Sequence, residues 1–187
     1  MTLSIASGGP RRILLLKYGV KYPDGSGKIL TKPAAEVTVF DERLRQLIAD
    51  MFHTMYKMQG VGLAATQIGL GMRIAVVDIT SGRDPAGKIV LVNPDLVETG
   101  ADCQVEWEGC LSLPGFREKV SRPEDCRVRA QNERGEWHEV LATGLLARAL
   151  QHEIGHLDGE LYIDCISRLR KSLIEGKIKK LKRQGRW

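Results

Sequence analysis

Long apolar runs are missing from this sequence. None approaches the ~20 residues that a bilayer-spanning helix needs, so no membrane segment is expected. Near the start, Arg11-Arg12 followed by Ile13 to Leu16 has the outline of an export signal. Its apolar part is four residues long, against roughly 7–15 for a working signal, and no small-residue cleavage site follows. Residues 1–11 therefore read as a loose tail and the apolar run as the entry to a first strand. The tail also lacks acidic residues, which leaves a transit-peptide remnant as the alternative. Paired cysteines are missing too: Cys103, Cys110, Cys126 and Cys165 form neither a C-x-x-C pair nor a dense framework. Free thiols in a reducing cytoplasm are the expectation. With no repeat and no low-complexity linker, the 187 residues read as one domain, long enough for a single core.

The sequence does contain segments of clear periodicity. From Asp41, a plausible N-cap, Leu44, Leu47, Ile48, Met51, Met55 and Met58 recur at helical spacing up to Gly60. The middle reads as strands: "MRIAVVDI", "KIVLVNP", "CQVEWEG", "CRVRAQN" and "EWHEVLA", with "NERGE" a hairpin turn between the last two. "YPDGSGK" is a turn near the N-terminus. Thr143 precedes a second helix carrying Leu145, Leu146, Ala149 and Leu150, and a third carries Leu169, Leu173, Ile178 and Leu181. Strands in runs, with helices between and after them, give an α+β fold. Mostly antiparallel sheets would pack around the second helix, and residues 166–187 would form a basic C-terminal helix. Net charge is only +5, with much of the excess in that last segment.

Chemistry concentrates in "LQHEIGHLDGELY". Residues four apart on a helix share a face, so His152 and His156 can direct two imidazoles at one ion. Glu153 lies beside the first, close enough to handle protons. A third ligand is needed. Tyr162 stands where one protease pattern has histidine, and Glu175 lies in the basic segment. His53 and His138 read as structural. Among the cysteines, Cys110 has the unusual setting, closing a strand in "EWEGCLSLPG", whereas Cys103, Cys126 and Cys165 read as small buried apolar residues. "GVGLAATQIG" lacks the Lys-Ser/Thr ending of a phosphate-binding loop. Its small residues allow close backbone approach, and Gln67 is its one polar side chain of reach.

Together these stretches resemble the peptide deformylases, whose motifs G-x-G-x-A-A-x-Q, E-G-C-L-S and Q-H-E-x-x-H occur in that order. Here they are Gly60-Val-Gly62-Leu-Ala64-Ala65-Thr66-Gln67, Glu108-Gly109-Cys110-Leu111-Ser112 and Gln151-His152-Glu153-Ile154-Gly155-His156. The resemblance implies Cys110, His152 and His156 as metal ligands and Glu153 as the proton carrier. It implies that the Gln67 amide and the Leu111 N–H face the developing oxyanion, and that backbone at Gly60, Gly62 and Gly109 holds an extended peptide. The implied reaction is removal of the formyl group from the N-terminal formylmethionine of new polypeptides. Fe(II) would be the native ion, with Zn, Ni or Co able to occupy isolated protein.

The resemblance also implies a cytoplasmic protein, here expected to be a monomer, with a C-terminal helix that serves the ribosome through Lys177, Lys179, Lys180, Lys182 and Arg183 and is dispensable for short peptides. Two other readings stand beside it: a zinc peptidase cutting internal bonds, and a non-catalytic RNA-binding protein with a structural metal. One position departs from the family pattern. Gly155 stands where an aspartate is usual, and Arg122 would then be short of its partner.

Overall fold

The computed structural model describes Tyr18 and residues 26–187. The N-terminal tail, the first strand expected at Ile13 to Leu16 and most of the "YPDGSGK" turn lie outside the described residues. Helix α1 spans Glu42–Lys57, and the Asp41 carboxylate accepts the Leu44 N–H at 3.0 Å as its N-cap. The helix ends without a glycine: Met58 is the C-cap, Gln59 takes the left-handed conformation at φ 56°, and Gly60 N–H reaches back to Met55 O. A left-handed residue here frees the chain to turn directly into strand β1, Gly62–Ala64.

Strand β1 opens a five-stranded sheet whose neighbours all run antiparallel. It continues through β2 (Ile74–Val77) and β3 (Ile89–Thr99), then β6 (Asp125–Gln131) and β7 (Trp137–Thr143). The hairpin predicted at "NERGE" joins β6 and β7, with Asn132 N–H bonded to Glu136 O. Every residue of β2 is buried, because both faces of the sheet are covered. Ile74 and Val76 meet Leu44, Ile48, Met51 and Met55 of α1 on one side. On the other, Ala75 and Val77 meet Leu150, Ile154 and Leu157 of helix α2, Gly144–Asp158. Alternation of side chains along a strand divides one apolar run between two helices. Small residues at the second interface (Ala64, Ala75, Ala130, Ala142, Ala147) let α2 lie close to the sheet. The α+β architecture expected from the sequence is the one observed, with α2 at its centre.

Strands β4 (Cys103–Gly109) and β5 (Arg117–Pro123) form a separate two-stranded ribbon. The sequence did not announce β5: "REKVSRP" has one aliphatic residue, Val120, which is fully buried in an otherwise mostly charged segment. Helix α3, Arg168–Arg183, closes the ribbon side. Its buried residues are Ile174 and Ile178, while Leu169 and Leu173 face solvent. The expected apolar stripe is thereby corrected: the two isoleucines, four apart, form the inward line. They pack with Leu113, Val120, Leu161, Tyr162 and Ile163, and Cys110 lies against this cluster. Helix α3 therefore packs on the same apolar cluster that Cys110 lies against.

Candidate metal centre

Strand β4 ends at Gly109 and presents Cys110 towards α2. His152 and His156 lie one turn apart on α2, ring centroids 4.9 Å apart and inclined at 76°. Cys110 Sγ is 3.2 Å from His156 Nε2. One ligand atom from each of Cys110, His152 and His156 falls within 4.8 Å of the others. A sulfur and two imidazole nitrogens so arranged fit one transition-metal ion with a coordination position to spare. The electrostatics agree. Burial, then the positive charge of His152 and Arg122, holds the His156 pKa well below its usual value, so the ring is neutral and one nitrogen lone pair is free to bind. Burial also opposes charge on His152, but Cys110 and Glu108 outweigh it and raise its pKa to about 10.

Glu153 is 4% exposed, and its Oε2 has no hydrogen-bond partner among the described residues. Burial lifts its pKa to about 7, against the pull of His152 and Arg122. Gly62 makes the room: a Cβ built there would stand 2.8 Å from Glu153 Cγ and Cδ. The buried Gln67 side chain is aimed by its carbonyl, which accepts Ala64 N–H at 2.8 Å. Its amide nitrogen then points to Cys110 Sγ (3.5 Å) and Ser112 Oγ (3.4 Å). Leu111, Gly60 and Gly109 line a cleft of about 550 Å³ over these groups, with Trp107, Leu145 and Phe116 among its other walls. A Cβ on Gly60 would come within 3.0 Å of Leu111. Eight of the nine residues singled out in the sequence thus line one cleft, and the ninth, His156, is fully buried behind it against Cys110.

Several other residues stand elsewhere. Tyr162 is buried behind His152, rings 21° apart at 6.2 Å, and supplies packing where a protease would have a ligand. The Glu175 carboxylate accepts from Tyr18 Oη. His138 contacts Val90 O, and His53 is exposed on α1. Cys126 is buried as expected, but Cys103 and Cys165 are exposed, because the ribbon end and the turn before α3 are not covered. Arg122 is not short of a partner. Its Nε and Nη2 bind both oxygens of Glu108 at 2.6 and 2.9 Å.

Glu108 is the group the sequence reading passed over. Its Oε2 also faces His152 Nδ1 at 3.1 Å, and Arg148 Nη1 reaches its Oε1 at 2.7 Å. An arginine in the apolar run "GLLARALQHE", one turn before His152, was the available signal.

Comparison with known proteins bears on this geometry. A family model described as polypeptide deformylase matches residues 19–172. The chain belongs to that family. A peptide deformylase of Acidobacterium capsulatum is 49% identical over 174 residues, covering 93% of this chain and all of that one. The crystal structure of a peptide deformylase from Legionella pneumophila superposes with a TM-score of 0.80 at 42% identity, covering 93% of this chain and 98% of the other. One from Synechococcus elongatus, solved in complex with actinonin, gives 0.80 at 36% identity, over 96% and 90%. All three motifs fall inside the matched span, and the family's fold accounts for the ribbon and the helix that bring them together.

Proposed function

We propose that this protein is a metal-dependent hydrolase that removes the formyl group from the N-terminal formylmethionine of newly made polypeptides. The observation that carries the reading is Glu153: a buried carboxyl with an unpartnered oxygen, held near neutral pKa, beside a Cys-His-His set and under a peptide-sized cleft. A divalent ion held by Cys110, His152 and His156 supplies Lewis acidity towards a carbonyl oxygen and towards water. Glu153 takes a proton from the attacking water and delivers it to the leaving amine. The Gln67 amide and the Leu111 N–H face the oxygen on which charge develops. Removing one such donor costs about 2.7–4 kcal/mol of barrier. Backbone at Gly60, Gly62 and Gly109 pairs with the extended peptide, and the glycines permit that approach.

The donor set suits Fe, Zn, Co and Ni alike; we assign Fe(II) as the native ion on the family resemblance, with the others as occupants of isolated protein. A zinc peptidase needs a third histidine or carboxylate, and the position in question holds the buried Tyr162. A purely structural metal would close its fourth position with another side chain, whereas here a cleft opens over it. We place the enzyme in the cytoplasm as a monomeric single domain; no helix among the described residues is long and apolar enough to cross a membrane. Contact with ribosomal RNA through α3 is supported by Lys177, Lys179, Lys180 and Arg183, all exposed. Reversing those charges, rather than deleting the helix, should abolish salt-sensitive ribosome co-sedimentation and spare short peptides; unchanged co-sedimentation removes the role. Metal content measured beside formate release from formyl-Met-Ala-Ser tests the main reading. A metal-loaded protein that releases no formate refutes it.

A further inference from the structure

The two histidines belong to α2 and the cysteine to the end of β4, so the ligand set depends on how a helix stands against a ribbon. Arg148 sits at that junction, one turn ahead of His152 and 7% exposed. Its Nη1 donates to Glu108 Oε1 at 2.7 Å and to the Val120 carbonyl at 3.0 Å, and its Nη2 donates to the Gln104 carbonyl at 2.8 Å. One guanidinium therefore ties α2 to β4 at two points and to β5 at a third. Neutralising Glu108 does not require it, because Arg122 already binds both carboxylate oxygens. What Arg148 adds is direction. The planar fork fixes angles that an ammonium group leaves free.

We infer that Arg148 is a positioning residue of the metal centre: by locking Glu108 and the ribbon backbone to α2, it fixes the His152 ring relative to Cys110 Sγ. The inference rests on the metal centre proposed above. Groups that orient ligands from behind typically change metal affinity 10–100-fold when removed. A purely structural staple would instead act only through overall stability. The molecule contains a control, though a more exposed one. Arg73 ties the other end of α2 to the sheet through Asp158 (2.6 Å) and the Pro94 carbonyl (2.9 Å) and touches no ligand.

The test loads wild type, Arg148→Met, Arg148→Lys and Arg73→Met with Co(II). It measures the thiolate-to-cobalt absorption band and the rate of metal loss to a chelator, well below each melting temperature. Arg148→Met should lose cobalt about 10–100-fold faster with a displaced band, and Arg148→Lys should fall between it and wild type. Arg73→Met should match wild type in both despite a lowered melting temperature. Combined with Glu108→Gln, the Arg148→Met effect should be less than multiplicative, since one acts through the other. Wild-type band and retention in Arg148→Met, loss no faster than in Arg73→Met, or a multiplicative double mutant overturns the inference. If Arg148→Met does not fold, Arg148→Lys carries the same comparison. A wild type that takes up no cobalt overturns the metal centre itself, a different failure.

Discussion

Glu108 and Glu153 are both buried, 5% and 4% exposed; Glu153 is part of the histidine-bearing helix and Glu108 faces it from β4. Their surroundings have opposite effects. Glu108 receives two guanidiniums and faces an imidazole. Burial would raise its pKa, but the bonds from His152 and Arg122 win and hold it at about 2. Glu153 has an oxygen with no partner, and burial lifts it to about 7. Residue type and exposure are therefore nearly equal, and the difference comes from the partners together with the deeper desolvation of Glu153. A carboxylate saturated by cations is a fixed charge that holds other groups in place. One left short of partners can exchange a proton near neutral pH.

The strongest way to break this comparison is at Glu153. Glu153→Ala should lower turnover by on the order of 10²–10⁴-fold and leave metal content unchanged, because no ligand is altered. Full activity, or loss of metal, would remove Glu153 from proton transfer. At Glu108 the expected damage is to the architecture. Glu108→Gln keeps the shape but leaves the buried Arg148 and the part-buried Arg122 facing a neutral amide, and breaking a buried pair costs about 3–5 kcal/mol. Denaturant unfolding should show a loss of that order. A change under about 1 kcal/mol would mean that the arginines find other acceptors, and the contrast with Glu153 would weaken.

The same pair shows what the sequence could reveal. His152, Glu153 and His156 were legible because helical spacing alone puts them on adjoining faces, and Cys110 because its setting closes a strand. Glu108 and Arg148 were not. Their meaning depends on how α2 stands against β4, which no local pattern encodes. Strand β5 escaped for a related reason: with a single aliphatic residue, its pairing with β4 supplies the order that periodicity did not. In α3, two candidate apolar lines coexist, and only the presence of Leu113, Leu161 and Ile163 selects Ile174 and Ile178. Aliphatic runs such as β2 and the first half of β3 were plain, since the two helices cover their two faces.

Asp78 sharpens the comparison away from the site. Fully buried, it accepts from Tyr56 Oη (2.5 Å), Thr80 N and Oγ1 (2.7 and 2.6 Å) and Gly82 N (2.9 Å). Burial pushes its pKa up, yet these bonds take it from 3.8 down to about 2. It belongs with Glu108, and its partners here are neutral donors. Hydrogen bonds to a charged group contribute about 1.5–3 kcal/mol, so Asp78→Asn should lose a stability of that size at pH 7. The sign follows from the depressed pKa: the contribution is complete above 3.8, the value without these bonds, and disappears as pH falls through about 2. The gap between wild type and variant should close over that window in acid unfolding. A gap independent of pH would assign the effect to shape and not to charge.

The smallest expected effect is at Gly155, inside α2 and one residue before His156. With Arg122 already bound to Glu108, the position has no obligation to supply a carboxylate. A Cβ built there meets the Glu160 carbonyl at 3.9 Å and Glu160 Cβ at 4.0 Å, which is ordinary contact. Glycine in a helix interior is about 0.5–1 kcal/mol less stable than alanine, so Gly155→Ala should raise the melting temperature by a corresponding few degrees. Gly155→Asp should gain less. Asparate has a lower helix propensity than alanine, and a negative charge in the last turn opposes the helix dipole. The two variants together separate backbone from charge, because alanine contains the first effect alone. An aspartate variant more stable than the alanine one, and slower to release metal, would show that the carboxylate reaches a cation, with Arg122 the group to remove next. The opposite order would leave Gly155 as a softer turn of helix whose cost the rest of α2 absorbs.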